Sequence, residues 1–166
     1  VEPVATPNAP PVAGPYSPAV RAGDWLVLAG QVGLDPAAGR LAEGGTGDEA
    51  RQALANITTV LSDCGASWGD VAKVSIFLTD IADFPVVNEA YGAAVGDHRP
   101  ARSTVQVAAL PAGARVEIEV WAHKHTPLGL YGTLGSLAVP DPNRFGGTVE
   151  LCPADGGWQA MPTSHG

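Results

Sequence analysis

Residues 116–123 alternate without a break: Val116, Ile118, Val120 and Ala122 are apolar, and Glu117, Glu119, Trp121 and His123 fall between them. Successive side chains of a strand point to opposite faces. The run therefore predicts a strand with one face committed to a core and the other left polar. A sheet built on such a strand must be covered on one side by another part of the chain.

The cover is legible upstream. Ala50, Ala53, Leu54, Ile57, Val60, Leu61 and Cys64 recur at helical spacing and mark the buried stripe of a helix over residues 46–64. Thr46 followed by Glu49 fits a capping box, and Gly65 fits the left-handed residue that closes a helix. A second helix is expected over 84–95, capped by Asp83, with Pro85 in its first turn. Its apolar face holds Phe84, Val87, Tyr91, Ala94 and Val95, with Asn88 at the edge.

Other strands are expected at Ser17–Arg21, closed by a turn at 22–24, and at Trp25–Val32, an apolar run that reads as buried on both faces. The loop 34–47 leaves room for a brief strand near 40–42. Val71–Thr79 alternates again. From Arg102, one face reads Arg102, Thr104, Gln106, Ala108. With a turn at 110–114, this segment and residues 116–123 are expected to pair as a hairpin. Turning both apolar faces to one core gathers Arg102, Thr104, Glu117, Glu119 and Trp121 on the opposite face. A tryptophan among charges there points to a covered surface, and so to self-assembly. In such a hairpin Arg102 lies about six residues, roughly 20 Å, beyond the partner of Glu117. A site using both residues is then expected to need two chains.

The chain has 166 residues, 45% hydrophobic and 16% charged, which fits one globular domain. Residues 1–13 read as an extended, proline-stiffened arm, 14–124 as the body, and 125–166 as a Gly/Pro-rich, loosely ordered extension with room for a strand at 147–152. The net charge of −8 repels phosphate backbones and argues against nucleic-acid or anionic-membrane binding. Cys64 and Cys152 form no CxxC pair, and Cys64 reads as a reduced core thiol. Val1–Pro15 lacks the pattern of a secretory signal and no apolar run is long enough to span a bilayer, so a cytoplasmic location is expected. His123-Lys124-His125 places two imidazoles on one strand face but lacks a third ligand, and no metal is expected. Gly44-Gly45-Thr46-Gly47 lacks the lysine of a phosphate cradle and reads as a flexible loop.

Several stretches, taken together, resemble the RidA/YjgF family. They are Gly14-Pro15-Tyr16-Ser17-Pro18-Ala19, Ala29-Gly30-Gln31-Val32, Val87-Asn88-Glu89-Ala90-Tyr91 and, most specific, Arg99-Pro100-Ala101-Arg102-Ser103-Thr104-Val105. The last continues through Leu110-Pro111 to Val116-Glu117-Ile118-Glu119, so that the resemblance covers residues 7–124. It implies a chorismate-mutase-like α+β fold, a mixed sheet of about six strands with two helices on one face, assembled as a homotrimer with sites between subunits. The implied activity is hydrolysis of reactive 2-imino and 2-enamino acids, such as 2-aminoacrylate and 2-iminobutanoate, to 2-keto acids and ammonia, without metal or organic cofactor. Carried over by position, Arg102 matches the arginine that holds the substrate carboxylate, Glu117 the glutamate at the attacking water, Tyr16 a catalytic-site tyrosine and Asn88 a further site residue. Thr104, Ala29 and Gly30 fall in the substrate-binding stretches, with Ala29 where serine is common and Thr104 where cysteine is common. The alternatives are a non-catalytic trimer that binds small carboxylates, and an endoribonuclease.

Overall fold

The computed structural model describes residues 1–124, 128–132, 135–139, 149–153 and 159–161. Two compact units are present, Val1–Lys124 and His125–Gly166. The first contains, in chain order, β1 (Glu2–Pro3), β2 (Ala19–Ala22), β3 (Trp25–Leu28), β4 (Gln31–Val32), β5 (Leu34–Asp35), β6 (Arg40–Leu41), α1 (Thr46–Asp63), β7 (Val71–Leu78), α2 (Phe84–Val95), β8 (Ala101–Gln106) and β9 (Val116–His123). The second is a four-stranded antiparallel sheet of β10 (Leu128–Gly132), β11 (Gly135–Val139), β12 (Val149–Pro153) and β13 (Gln159–Met161). Composition alone suggests a loosely ordered extension in this stretch.

The main sheet runs β1-β2-β3-β9-β7-β8, with β4 also paired to β9. It is mixed, because β7 and β8 are parallel while β9 runs antiparallel to β7. The expected pairing of residues 102–109 with 116–123 does not form. β7 lies between them, since α2 carries the chain from β7 back to a parallel neighbour, as such crossovers do. The segment 107–115 then passes over the end of β7: Val107 N–H donates to Leu78 O at 2.8 Å and Thr79 N–H to Arg115 O at 3.0 Å.

One face of this sheet and both helices bury a single core. Val74, Ile76 and Leu78 of β7 and Val116, Ile118, Val120 and Ala122 of β9 meet Leu54, Ile57, Val60 and Leu61 of α1 and Val87 and Tyr91 of α2. Cys64 joins this core as a free thiol. Trp25–Val32 is not one doubly buried strand. It breaks at Ala29-Gly30, and in β3 only Leu26 and Leu28 are buried while Trp25 is exposed. The open face carries Trp25 and Trp121, each more than two-fifths exposed.

The helix starts also differ from expectation. Gly45, with φ of 102°, caps α1 and makes no side-chain bond. The Thr46 hydroxyl donates instead to Asp83 Oδ2 at 2.6 Å, so Asp83, at the N-cap position of α2 as expected, ties the helices together and makes no side-chain capping bond. Glu49, 1% exposed, takes Arg115 with both oxygens: the backbone N–H at 2.7 Å and Nη1 at 2.7 Å. That pair fixes the start of β9 on α1. Gly33 permits it, because a Cβ there would sit 2.5 Å from the Glu49 backbone. Among the described residues no helix is long and apolar enough to cross a membrane.

Removing Glu49 strands a backbone donor, whereas the exposed Arg40–Glu43 pair holds nothing in place. Glu49→Ala is therefore expected to lower unfolding stability in urea by about 1–3 kcal/mol. Glu43→Ala is expected to change it by less than about 1 kcal/mol.

Candidate active site

Arg102 sits in β8 opposite Val74 of β7. Paired residues of neighbouring strands point to the same face. The arginine therefore projects to the helix side, beside the fully buried Val74, and not to the open face. There α2 receives it. Its Nη2 donates to Asn88 Oδ1 at 2.8 Å, and its guanidinium carbon stands 4.6 Å from the Tyr91 ring centroid and 5.6 Å from that of Phe84. One donor is thereby engaged and the plane is stacked, which leaves the remaining N–H groups of the fork for an anion. The cation borders a cavity of about 470 Å³, also lined by Asn88, Tyr91, Arg99 and Pro100. Burial pushes the Tyr91 phenol up, against the pull of Arg102 and Arg99, so it stays a neutral platform. The Tyr91 and Thr104 hydroxyl oxygens are buried without a partner, Thr104 lying on the same face as Arg102.

Glu117 is on the other face. It pairs with Phe77 of β7 and Val32 of β4, in the polar row that also holds Glu119. Its carboxylate faces the 490 Å³ cavity, together with Tyr16, Ala29, Gly30 and Gln31. Burial pushes the carboxyl up, and the neighbouring Glu119 charge adds to the rise. Gly30 makes the space: a Cβ there would lie 2.0 Å from Glu117 Oε1. The break between β3 and β4 thus brings backbone against the carboxylate. Tyr16 Oη accepts from Ala13 N–H at 3.3 Å.

The expected site residues fall into two groups. Arg102, Thr104 and Asn88 gather on the helix side, and Glu117, Tyr16, Ala29 and Gly30 around the other cavity. The single polar face expected to hold Arg102 and Glu117 together is absent, because β7 separates their strands and the pleat turns them to opposite sides. Tyr91 and Phe84 also belong to the arginine group. Their spacing with Asn88 on one helix face was visible in the sequence, but it reads as core.

The family described as Endoribonuclease L-PSP matches residues 6–124. The chain belongs to this family. It is the RidA/YjgF family of the motifs quoted above. Among relatives, the mouse protein named 2-iminobutanoate/2-iminopropanoate deaminase is 45% identical over 119 residues, covering 72% of this chain and 88% of its own. The structure of RidA from the Antarctic bacterium Psychrobacter sp. matches with a TM-score of 0.70 and 41% identity, over 74% of this chain and 99% of that one. The structure of E. coli TdcF with bound serine matches with a TM-score of 0.70 and 34% identity, over 74% and 97%. Against the RidA/YjgF pattern, Ala29 leaves this cavity without the usual serine hydroxyl, and the buried Thr104 hydroxyl stands where a thiol is common. No cluster of three metal-ligating side chains exists among the described residues, and His125 lies outside them.

Two outcomes follow from the Glu117 environment. In Gly30→Ala the new methyl displaces a flexible carboxylate and no backbone, so the fold is expected to hold. Turnover of an imino acid is expected to fall about 100-fold, as for an ångström-scale misplacement. The second concerns stability. The Glu117 carboxyl titrates higher folded than unfolded, so its contribution is present below the ordinary glutamate range and lost as pH rises through the folded value. Glu117→Gln is therefore expected to raise Tm at about pH 7, with the gain shrinking toward about pH 4.

Proposed function

We propose that the chain hydrolyses 2-imino and 2-enamino acids to 2-keto acids and ammonia, with each site built from two chains of a homotrimer. The observation that carries this reading is the Arg102 guanidinium, stacked on Tyr91 and bonded to Asn88 beside an open cavity. A planar fork held in this way matches the two oxygens of a carboxylate. Family membership and the deaminase name of the mouse relative supply the reaction class.

In the proposed reaction Arg102 holds the carboxylate, with Thr104 and Asn88 beside it, and so fixes the neighbouring C=N carbon. Glu117 takes a proton from water as the water oxygen bonds to that carbon. That proton passes to the nitrogen to give a carbinolamine, whose hydroxyl proton then moves through Glu117 to the nitrogen as the C–N bond breaks and the C=O forms, so that a keto acid and ammonia leave. A carboxyl titrating above the ordinary range serves both steps, because its proton affinity is closer to ambient pH. For an enamine, Tyr16 delivers the proton to carbon first and regains one from the iminium nitrogen so formed, which gives the imine. The Tyr16 oxygen accepts from Ala13 N–H, which leaves its own O–H free to turn into the cavity.

Since Arg102 and Glu117 face opposite sides of one sheet, a site containing both takes Arg102 from one protomer and Glu117 from its neighbour. The exposed Trp25, Trp121 and Val105 on the open face favour burial against another copy. This arrangement is the chorismate-mutase-like trimer of the family resemblance. The free Cys64 thiol in the core fits a reducing, cytoplasmic setting.

A binding role without turnover has one observation in its favour, the serine held by the E. coli relative. An endoribonuclease role has the family description behind it but meets a chain of net charge −8.

Incubation with freshly generated 2-iminobutanoate, following 2-ketobutanoate release, tests the reading. Arg102→Ala and Glu117→Gln are each expected to lose at least about 100-fold in kcat/KM. When the two variants are unfolded together and reassembled in equal amounts, about one quarter of wild-type activity is expected to return, from sites that draw one intact residue from each chain. Activity at wild-type level in Arg102→Ala would remove the arginine from the mechanism, and no return on mixing would place the whole site within one chain.

A further inference from the structure

The segment ahead of Tyr16 is held in place by a contact remote in sequence. Asp63 is the last residue of α1, a position where the helix dipole disfavours a carboxylate, and no basic residue offsets it in that turn. Both of its oxygens are satisfied from the N-terminal segment. Asn8 donates its backbone N–H to Oδ2 at 2.9 Å and its side-chain Nδ2 to Oδ1 at 2.7 Å. On either side of this clamp the segment is also tied down: Val4 N–H donates to Ala19 O at 3.0 Å, and Ala9 packs against the core. Pro10 and Pro11 follow at once, and proline fixes the backbone φ, so the direction set at Asn8 carries forward. The next residues, through Ala13, border the Glu117 cavity, and the Ala13 amide holds the Tyr16 hydroxyl. Pro18, Ala29 and Leu34, all apolar, also line this cavity.

We propose that Asn8 and Asp63 are positioning residues that set residues 10–13 as the wall against which the substrate's side chain is measured, making the site select apolar side chains by length. The proposal rests on the imino-acid reading. A 2-imino acid with its reacting carbon at Glu117 has its side chain in the space between this wall and Ala29. The distance across that space is fixed by the clamp, because the prolines transmit little slack. Ala29 presents only a methyl group there, which keeps that surface apolar.

The experiment measures equilibrium binding of pyruvate, 2-ketobutanoate and 2-ketopentanoate by calorimetry, and turnover of the matching imino acids, in wild type, Asn8→Ala, Asp63→Ala and Asp63→Asn. Wild type is expected to bind about fourfold more tightly for each added methylene. In the two alanine variants the gain is expected to fall below about twofold, with pyruvate affinity and the kcat for 2-iminopropanoate kept. Asp63→Asn, which keeps an acceptor for the Asn8 side chain, is expected to recover part of the gain. A clamp that only stabilises the fold would lower Tm and leave the length dependence intact, and that result overturns the proposal. So does a wild type with no length dependence, even where imines are hydrolysed. Length-dependent binding that the variants flatten, without any turnover, keeps the clamp and discards the deaminase.

Discussion

The pleat of β7 governs the rest of the molecule. Its apolar residues are committed to the helices, so every strand paired to it inherits the same division into a core side and an open side. Val74 carries Arg102 to one side, and Phe77 carries Glu117 to the other. A one-residue slip in either pairing would put an arginine on the open face or bury a glutamate in the core. The chemistry proposed for this chain thus follows from register. It needs a cation and a carboxylate that a single sheet holds apart, and only a second sheet can bring them together.

Much of this was visible from local pattern. The stripe of α1 and the alternation of β9 depend only on near neighbours, and both stand where their periodicity put them. The candidate residues Arg102, Asn88, Glu117 and Tyr16 were marked by motif, and each borders a cavity. Partners distant in sequence were not. Thr46 and Glu49 have the spacing of a capping box, but Asp83 draws the hydroxyl and Arg115 draws the carboxylate, and each of these attractions depends on the finished fold. Pairing of adjacent strands is a sound default. It failed at β8 and β9 because a crossover helix had already placed β7 between them. With it failed the common face for Arg102 and Glu117, and the two-chain site proposed here rests instead on their opposite faces.

Electrostatics on the two sides are opposite in kind. Around Arg102 the ring of Tyr91 and the Asn88 amide oxygen support a cation without neutralising it, which keeps its charge for a ligand. Around Glu117 no side-chain donor is hydrogen-bonded to the carboxylate among the described residues, and burial with Glu119 nearby raises its proton affinity. A chain of net charge −8 is a poor partner for a polyanion as a whole. A recessed guanidinium still gives a small acid one favourable address.

β9 bonds to β3 and β4 on one edge and to β7 on the other. During synthesis from the N-terminus, the β2–β3 ribbon and the β7-α2-β8 crossover emerge first, each with an unsatisfied edge. Neither can join the other until residues 116–123 have left the ribosome. The two halves of the sheet therefore wait on this keystone strand, which makes their joining a single closure governed by long-range contacts.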